Sequence, residues 1–222
     1  MPDASLPAAS PAVVDLLGVL AYGQLSAFTR VAADSGLAPL TARRLVGQTA
    51  VDFYRHFEQL AARLDSMGVR VEDAMAPFVE VIDEYHDRTH PTDWLEGLVK
   101  AYVGDGIARD FYREIAKYVD EDTQAFVAAI LQDHGQAAFI VAEVRKAISA
   151  DPRVGGRLAL WGRRLVGEAI QRAQRVGGER DALTALLVGG GQGGADLVEL
   201  GHMFERLTAA HTARMERMGL SA

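Results

Sequence analysis

Along most of this chain apolar residues recur every three or four positions, the period of amphipathic helices. Six long segments carry the pattern. The first covers about 11–34, with Gly36 and Pro39 punctuating its end, and the second covers 40–67, closed by Gly68 as a C-cap. A connection over 69–91 carries a short helix near 77–87. The third segment starts at Thr92 or Asp93, with Glu96 completing a capping box, and reaches about Tyr118. The fourth runs as one helix over 122–150. Asp151-Pro152 and Gly155-Gly156 then break the chain, so the fifth helix spans 157–176 and ends at Gly177-Gly178. The sixth region divides at the glycine run Gly189–Gly194, with a short helix before it and a longer one over 195–218. That run lacks the Lys-Ser/Thr of a phosphate loop and reads as a linker.

No alternating β-branched run or Asn-Gly hairpin marks a strand. The expected fold is an all-α four-helix bundle, preceded by a flexible tail over 1–10. Its long crossover lies between the second and third helices, the ferritin-like arrangement, and the additional C-terminal helices pack outside. Residues 11–222 form one domain.

The core stripe of each expected bundle helix is apolar at both ends and polar near its middle. The first reads Val13, Leu17, Leu20, Gln24, Phe28, Val31, and the second Leu45, Thr49, Phe53, His56, Leu60, Leu64. The third is interrupted by Asp105, the fourth by Asp133 with Gln136 one turn on. Buried polar groups at similar depth must meet each other, water or a metal, because an unpaired buried charge costs several kcal/mol. Two readings follow: a hydrogen-bonded core network with His56 between the aspartates, or a metal site of carboxylate and imidazole.

Of the 222 residues 49% are hydrophobic, ample for a core, and none is cysteine, which excludes disulfides, zinc-thiolate sites and cysteine nucleophiles. Neither a signal peptide nor about 18 uninterrupted apolar residues is evident, so cytoplasm is the expected location. The net charge of −7 argues against a general nucleic-acid coat protein. The charge is uneven: residues 72–96 hold eight acids and one arginine, whereas 157–175 hold Arg157, Arg163, Arg164, Arg172 and Arg175 against Glu168 alone. The basic helix is either solvated or salt-bridged to acidic neighbours, or it docks an anionic partner such as RNA. Lesser candidates are Glu199-x-x-His202 with His211, and Asp83-x-x-His86 with His90, for which a solvated or capping role is expected. His134 is expected at the surface; Tyr22, Tyr102 and Tyr112 could line a pocket.

Four stretches carry a family resemblance: LGVLAYGQLSAF (17–28), DWLEGLVKAYVGDGIARDFYREI (93–115), RLALWGRRLVGEAIQRAQRV (157–176) and FERLTAAHTARM (204–215). With them the chain resembles the ferritin-like superfamily and, more narrowly, actinobacterial proteins related to the tRNA hydroxylase MiaE. That resemblance implies two irons held by a carboxylate from the first and third helices and Glu-x-x-His from the second and fourth, activating oxygen to hydroxylate a modified adenosine side chain. Carried onto this chain, the ligand positions fall on Gln24, His56, Asp105, Asp133 and Gln136, with Phe53 where the second helix needs its carboxylate and Asp52 beside it. The altered set implies no metal, or one weakly bound iron or manganese ion on His56, Asp105 and Asp133, rather than an intact di-iron centre. The expected function is a non-catalytic binding or dimerising module; the alternative is a non-haem iron hydroxylase with tRNA as partner. A homodimer is expected by analogy.

Overall fold

A computed structural model describes residues 10–132, 136–188 and 197–222. Among them lie ten α-helices and no strand. The chain folds as α1 (Pro11–Asp34), α2 (Leu40–Ser66), α3 (Val71–Met75), α4 (Val79–Arg88), α5 (Trp94–Ala116), α6 (Glu121–Ile130), α7 (Gln136–Ala150), α8 (Pro152–Glu179), α9 (Asp181–Val188) and α10 (Leu197–Arg217).

Helices α1 and α2 form a hairpin, and α5 packs along α8 with α10 on its other side. Helix α4 leans on α8, and α7 fills the angle between α5 and α8. The α1 stripe is buried from Ala12 to Ala21, with Leu16, Leu17 and Leu20 fully enclosed. Each such leucine contributes about 1.5–3 kcal/mol of burial. Gly18 lets α1 touch α3: a Cβ there would stand 2.2 Å from the Ala74 carbonyl oxygen. By length and composition α1 could cross a membrane, yet 61% of its most apolar window is buried against the rest of the protein, as in a core helix.

The start of α5 follows the expected box. Asp93 accepts from the Glu96 amide at 2.9 Å, and Glu96 Oε2 accepts from the Thr92 amide and hydroxyl at 2.8 and 2.7 Å. Gly68 adopts φ 72°, the left-handed conformation that ends α2.

The structure corrects three expectations. The fourth segment is not one helix: α6 ends at Ile130, and Leu131 leaves the helical region at φ −88°, ψ 15°. Its freed carbonyls are taken by α5, where Arg113 donates to Leu131 O at 2.8 Å and Arg109 to Gln132 O at 3.4 Å. The fifth helix starts five residues earlier than expected. Asp151 caps it by accepting from the Arg153 amide at 3.0 Å, and Pro152 occupies the first turn, where its missing N–H costs nothing. Gly155-Gly156 and Gly177-Gly178 are helical. Finally, α8 is not an outer layer. Leu158, Trp161 and Leu165 are buried in a second core cluster with Val99, Val103, Val144 and Met215, so α8 walls the interior beside α5 together with Val127, Ile130, Ile140 and Val144 of the 122–150 stretch.

Candidate functional site

A cavity of about 270 Å³ lies where the two core clusters meet, between α1, α4, α5, α8 and α10. Val19, Val81 and Ile115 reach it from the first cluster, and Tyr85, Ala101 and Ile107 from the edge of the second. On α8 the wall is Val166, Ala169, Ile170 and Ala173, spaced three and four apart so that one face turns inward. Phe204 and Leu207 close it from α10. Most of the lining is apolar, as in small-molecule sites.

Two polar regions interrupt this lining. The first is the mid-helix layer. Gln24 is 8% exposed, and its Oε1 lies 3.2 Å from His56 Nδ1, which donates to it in the tautomer protonated there. Asp105 pairs at 2.8 Å with Arg109 one turn along α5, and its field, after burial, raises the Tyr112 hydroxyl pKa. Gln24 and Asp105 line the cavity together with Phe53. Asp52 takes hydrogen bonds from Gln48 at 3.1 Å and Arg55 at 3.3 Å, both on its own helix. Asp133 lies outside the described residues, as does the side chain of Gln136.

These residues do not suit a di-iron pair. The α1 position offers a neutral amide already bonded to the imidazole, and the α5 carboxylate is partly neutralised by a guanidinium. The position one turn before His56 is a phenyl ring. Among the described residues no three His, Asp or Glu side chains are grouped as a metal would need.

The second polar region sits at the junction of the last turns of α1 and α4 with the first third of α5. Arg30, Asp34, Tyr85, His86 and Lys100 all border the cavity there. Burial pushes Lys100 down to about 8, and Arg30 adds to the effect, while Asp34 and Asp87 oppose it. The Lys100 ammonium donates to Thr89 O at 2.6 Å and stands 5.9 Å from the Tyr85 ring centroid. Burial, then the charges of Lys100 and Arg30, hold His86 at about 3, neutral over the ordinary range. Its Nδ1 is buried without a hydrogen bond. The Tyr85 hydroxyl is buried too and makes no well-formed hydrogen bond; burial raises its pKa above the usual tyrosine range. Gly104 makes room for it, since a Cβ there would lie 2.8 Å from the hydroxyl oxygen.

His86 thus departs from its expected solvated role, because α5 covers it. Lys100, Arg30 and Tyr85 were not singled out by sequence. Their charge and spacing resemble those of an exposed helix face, and only the packing of α4 against α5 and α8 encloses them. Of the three tyrosines considered, Tyr112 lines the cavity. Tyr22 meets Asp83 and is pushed up to about 12, first by burial and then by that carboxylate. His202 is exposed, whereas His211 is 4% exposed and its pKa is lowered by burial and by Arg214. His134, the side chain of Glu199 and Gly189–Gly194 lie outside the described residues.

The arginine-rich helix faces the acidic segment. Arg157 pairs with Asp93 and Glu96, both at 2.7 Å. Arg172 reaches Glu84 and Glu168, both at 3.2 Å, and Arg175 reaches Glu80 and Glu84 at 3.1 Å and Glu179 at 2.8 Å. Arg164 donates to Arg88 O at 2.7 Å and lies over the Trp161 ring, and Arg163 donates to Ser221 O at 3.2 Å. Four of the eight acids noted in sequence, Glu80, Glu84, Asp93 and Glu96, thus pair with three of the five arginines, Arg157, Arg172 and Arg175.

A family model described as a ferritin-like domain of actinomycetes matches residues 8–190. This chain belongs to that ferritin-like family. The match spans α1 to α9, so it takes in every wall of the cavity except α10. No curated protein matches the chain. In this ferritin-like bundle the interior is shared between a short hydrogen-bonded layer and an apolar chamber with one donor-rich end.

Proposed function

We propose that this ferritin-like chain is a non-catalytic relative of the tRNA hydroxylase group that binds a small, mainly apolar molecule in the interior where its relatives would hold metal. The observation that carries this reading is the cavity itself: a partly open, mostly apolar chamber beside a ligand layer in which Gln24 stands at the position of the expected carboxylate and bonds His56. Hydroxylation by a di-iron centre would need more anionic ligands than Gln24, His56 and Asp105 provide. A single weakly held iron or manganese ion on His56, Asp105 and Asp133 is the most metal this set would support.

Dimerisation belongs to the same proposal. Leu40, Val51 and Tyr54 are 82, 43 and 39% exposed and fall on one side of α2, whose packing is mainly against α1. An apolar face of this kind suits a second copy of the chain. Light scattering of wild type and Leu40→Glu tests it: loss of a dimer in the variant supports this face, and an unchanged dimer rejects it. The site of action is proposed to be the cytoplasm. Docking of tRNA on Arg157, Arg163, Arg164, Arg172 and Arg175 would compete with the contacts these side chains already make.

The test of the cavity reading is ligand-linked stability. Benzene, a probe with no polar group, should raise the melting temperature of the wild type by mass action. Ala173→Phe, which places a ring in the chamber, should abolish that rise. A melting temperature indifferent to benzene in the wild type would reject the chamber as a binding site.

A further inference from the structure

Resting on the reading of the chamber as a binding site, we propose that its natural ligand is a small monocarboxylate with an apolar body, its head held by Lys100, His86 and Tyr85. The lining of the chamber is of two kinds. Helices α8 and α10 contribute side chains such as Ala173, Ile170 and Leu207, which can only enclose hydrocarbon, and Arg172, which is paired with Glu84 and Glu168. Helices α4 and α5 contribute three side chains with unspent hydrogen-bond capacity. The Tyr85 hydroxyl and His86 Nδ1 are buried and lack well-formed partners. The Lys100 ammonium has three N–H donors, and the Thr89 carbonyl takes one.

Unsatisfied buried polar groups are rare because each costs free energy, so two in one part of the lining, beside an ammonium with donors to spare, call for a partner there. Hydroxyl and ammonium donate, and the imidazole can, so the complementary group is an acceptor with several lone pairs. A half-buried ammonium further favours an acceptor that is charged. Most of the carboxylates nearby are engaged by arginines. Asp105 is paired with Arg109, Glu168 with Arg172, and Asp83 and Asp87 meet Arg30 at 3.6 and 3.5 Å, while Asp34 lines the cavity and acts on Lys100 through its charge. A carboxylate also matches the chamber in scale: about 270 Å³ is below the ~300 Å³ at which drug-sized pockets begin.

The experiment is calorimetric titration of the full chain with octanoate, octanol and octylamine, which share one body and differ in head. Octanoate should bind the wild type about tenfold more tightly than octanol, the scale of one charge-assisted hydrogen bond. Lys100→Met should remove that advantage, Lys100→Arg should retain most of it, and Ala173→Phe should abolish binding of both. Equal binding of octanoate and octanol, indifferent to Lys100→Met, would overturn the carboxylate and leave the chamber standing as an apolar site. Preference for octylamine would overturn it as well. Octanoate binding that survives Ala173→Phe would place the ligand elsewhere and refute the inference. Failure of all three probes to bind the wild type would overturn both the inference and the reading beneath it.

Discussion

Between α1 and α2, Gln24 meets His56 in a hydrogen bond of 3.2 Å; between α4 and α8, Arg172 and Arg175 share the Glu84 carboxylate at 3.2 and 3.1 Å and reach on to Glu168, Glu80 and Glu179. Both are rows of polar side chains set into apolar helices. In the first, Gln24 and His56 satisfy each other. In the second the helices carry much charge, and it is consumed within the fold. A polar row on a helix therefore announces that something must be satisfied, and the facing helix decides what satisfies it.

The largest expected effect comes from breaking the seam between α4 and α8. Arg172 is almost wholly enclosed, and Arg172→Leu leaves Glu168 without its guanidinium and Glu84 with Arg175 alone. It should cost about 3 kcal/mol in urea denaturation, as for other buried pairs cut on one side. A cost below about 0.5 kcal/mol, the level of an ordinary surface change, would mean that the seam is only a solvated face. Cutting the first row should do less. Gln24→Leu and His56→Leu should each cost about 1 kcal/mol, and the double variant should show coupling of similar size, because they share one hydrogen bond. Strict additivity would separate the two residues.

The donor-rich end of the cavity contributes through protons. In the unfolded chain a histidine titrates near its ordinary 6.5, whereas His86 in the fold is held at about 3. Between these values the unfolded state binds more protons, so stability is full above the higher value and is lost as the pH falls towards the lower one. Lys100 has the same sign at higher pH: its folded value of about 8 lies below 10.5, so stability rises across that interval. Taking the wild type from about pH 7 to about pH 5 should lower its urea midpoint more than that of His86→Phe, which has no proton to gain. Equal falls would place His86 in water. The smallest effect is expected at Arg163. It touches only the Ser221 carbonyl at an exposed site, so Arg163→Ala should change stability by less than about 0.5 kcal/mol.

The sequence made much of the frame legible. The spans of α1, α2 and α5 follow from apolar period, a proline near each start, and the Asp93–Glu96 cap. The all-α ferritin-like class followed from their lengths and from the crossover. What escaped was set by contacts distant in sequence. The break after α6 rests on Arg109 and Arg113 reaching across from α5, and local periodicity carries no trace of that. The early start of α8 escaped because Pro152 and the glycine pair resemble a stop, whereas Asp151 and Pro152 together are a cap and first turn. In the site, Gln24 and His56 were legible as members of one polar layer because both interrupt apolar stripes, but His56 was expected between Asp105 and Asp133 and not on Gln24. Lys100 and His86 were not, since a charged residue in a helix reads as solvated until a neighbouring helix covers it. The burial of α8 beside α5, where an outer helix was expected, is the same lesson at larger scale.

The central claim is that the polar layer closes on itself and leaves the chamber to an organic ligand. It is tested most directly by the iron content of the full chain, produced with added iron and purified under low oxygen, together with melting curves with and without chelator. The account predicts iron well below one per chain and curves that superimpose. Iron near two per chain, lost in both His56→Ala and Asp105→Ala with a chelator-sensitive melt, would contradict it and restore the hydroxylase.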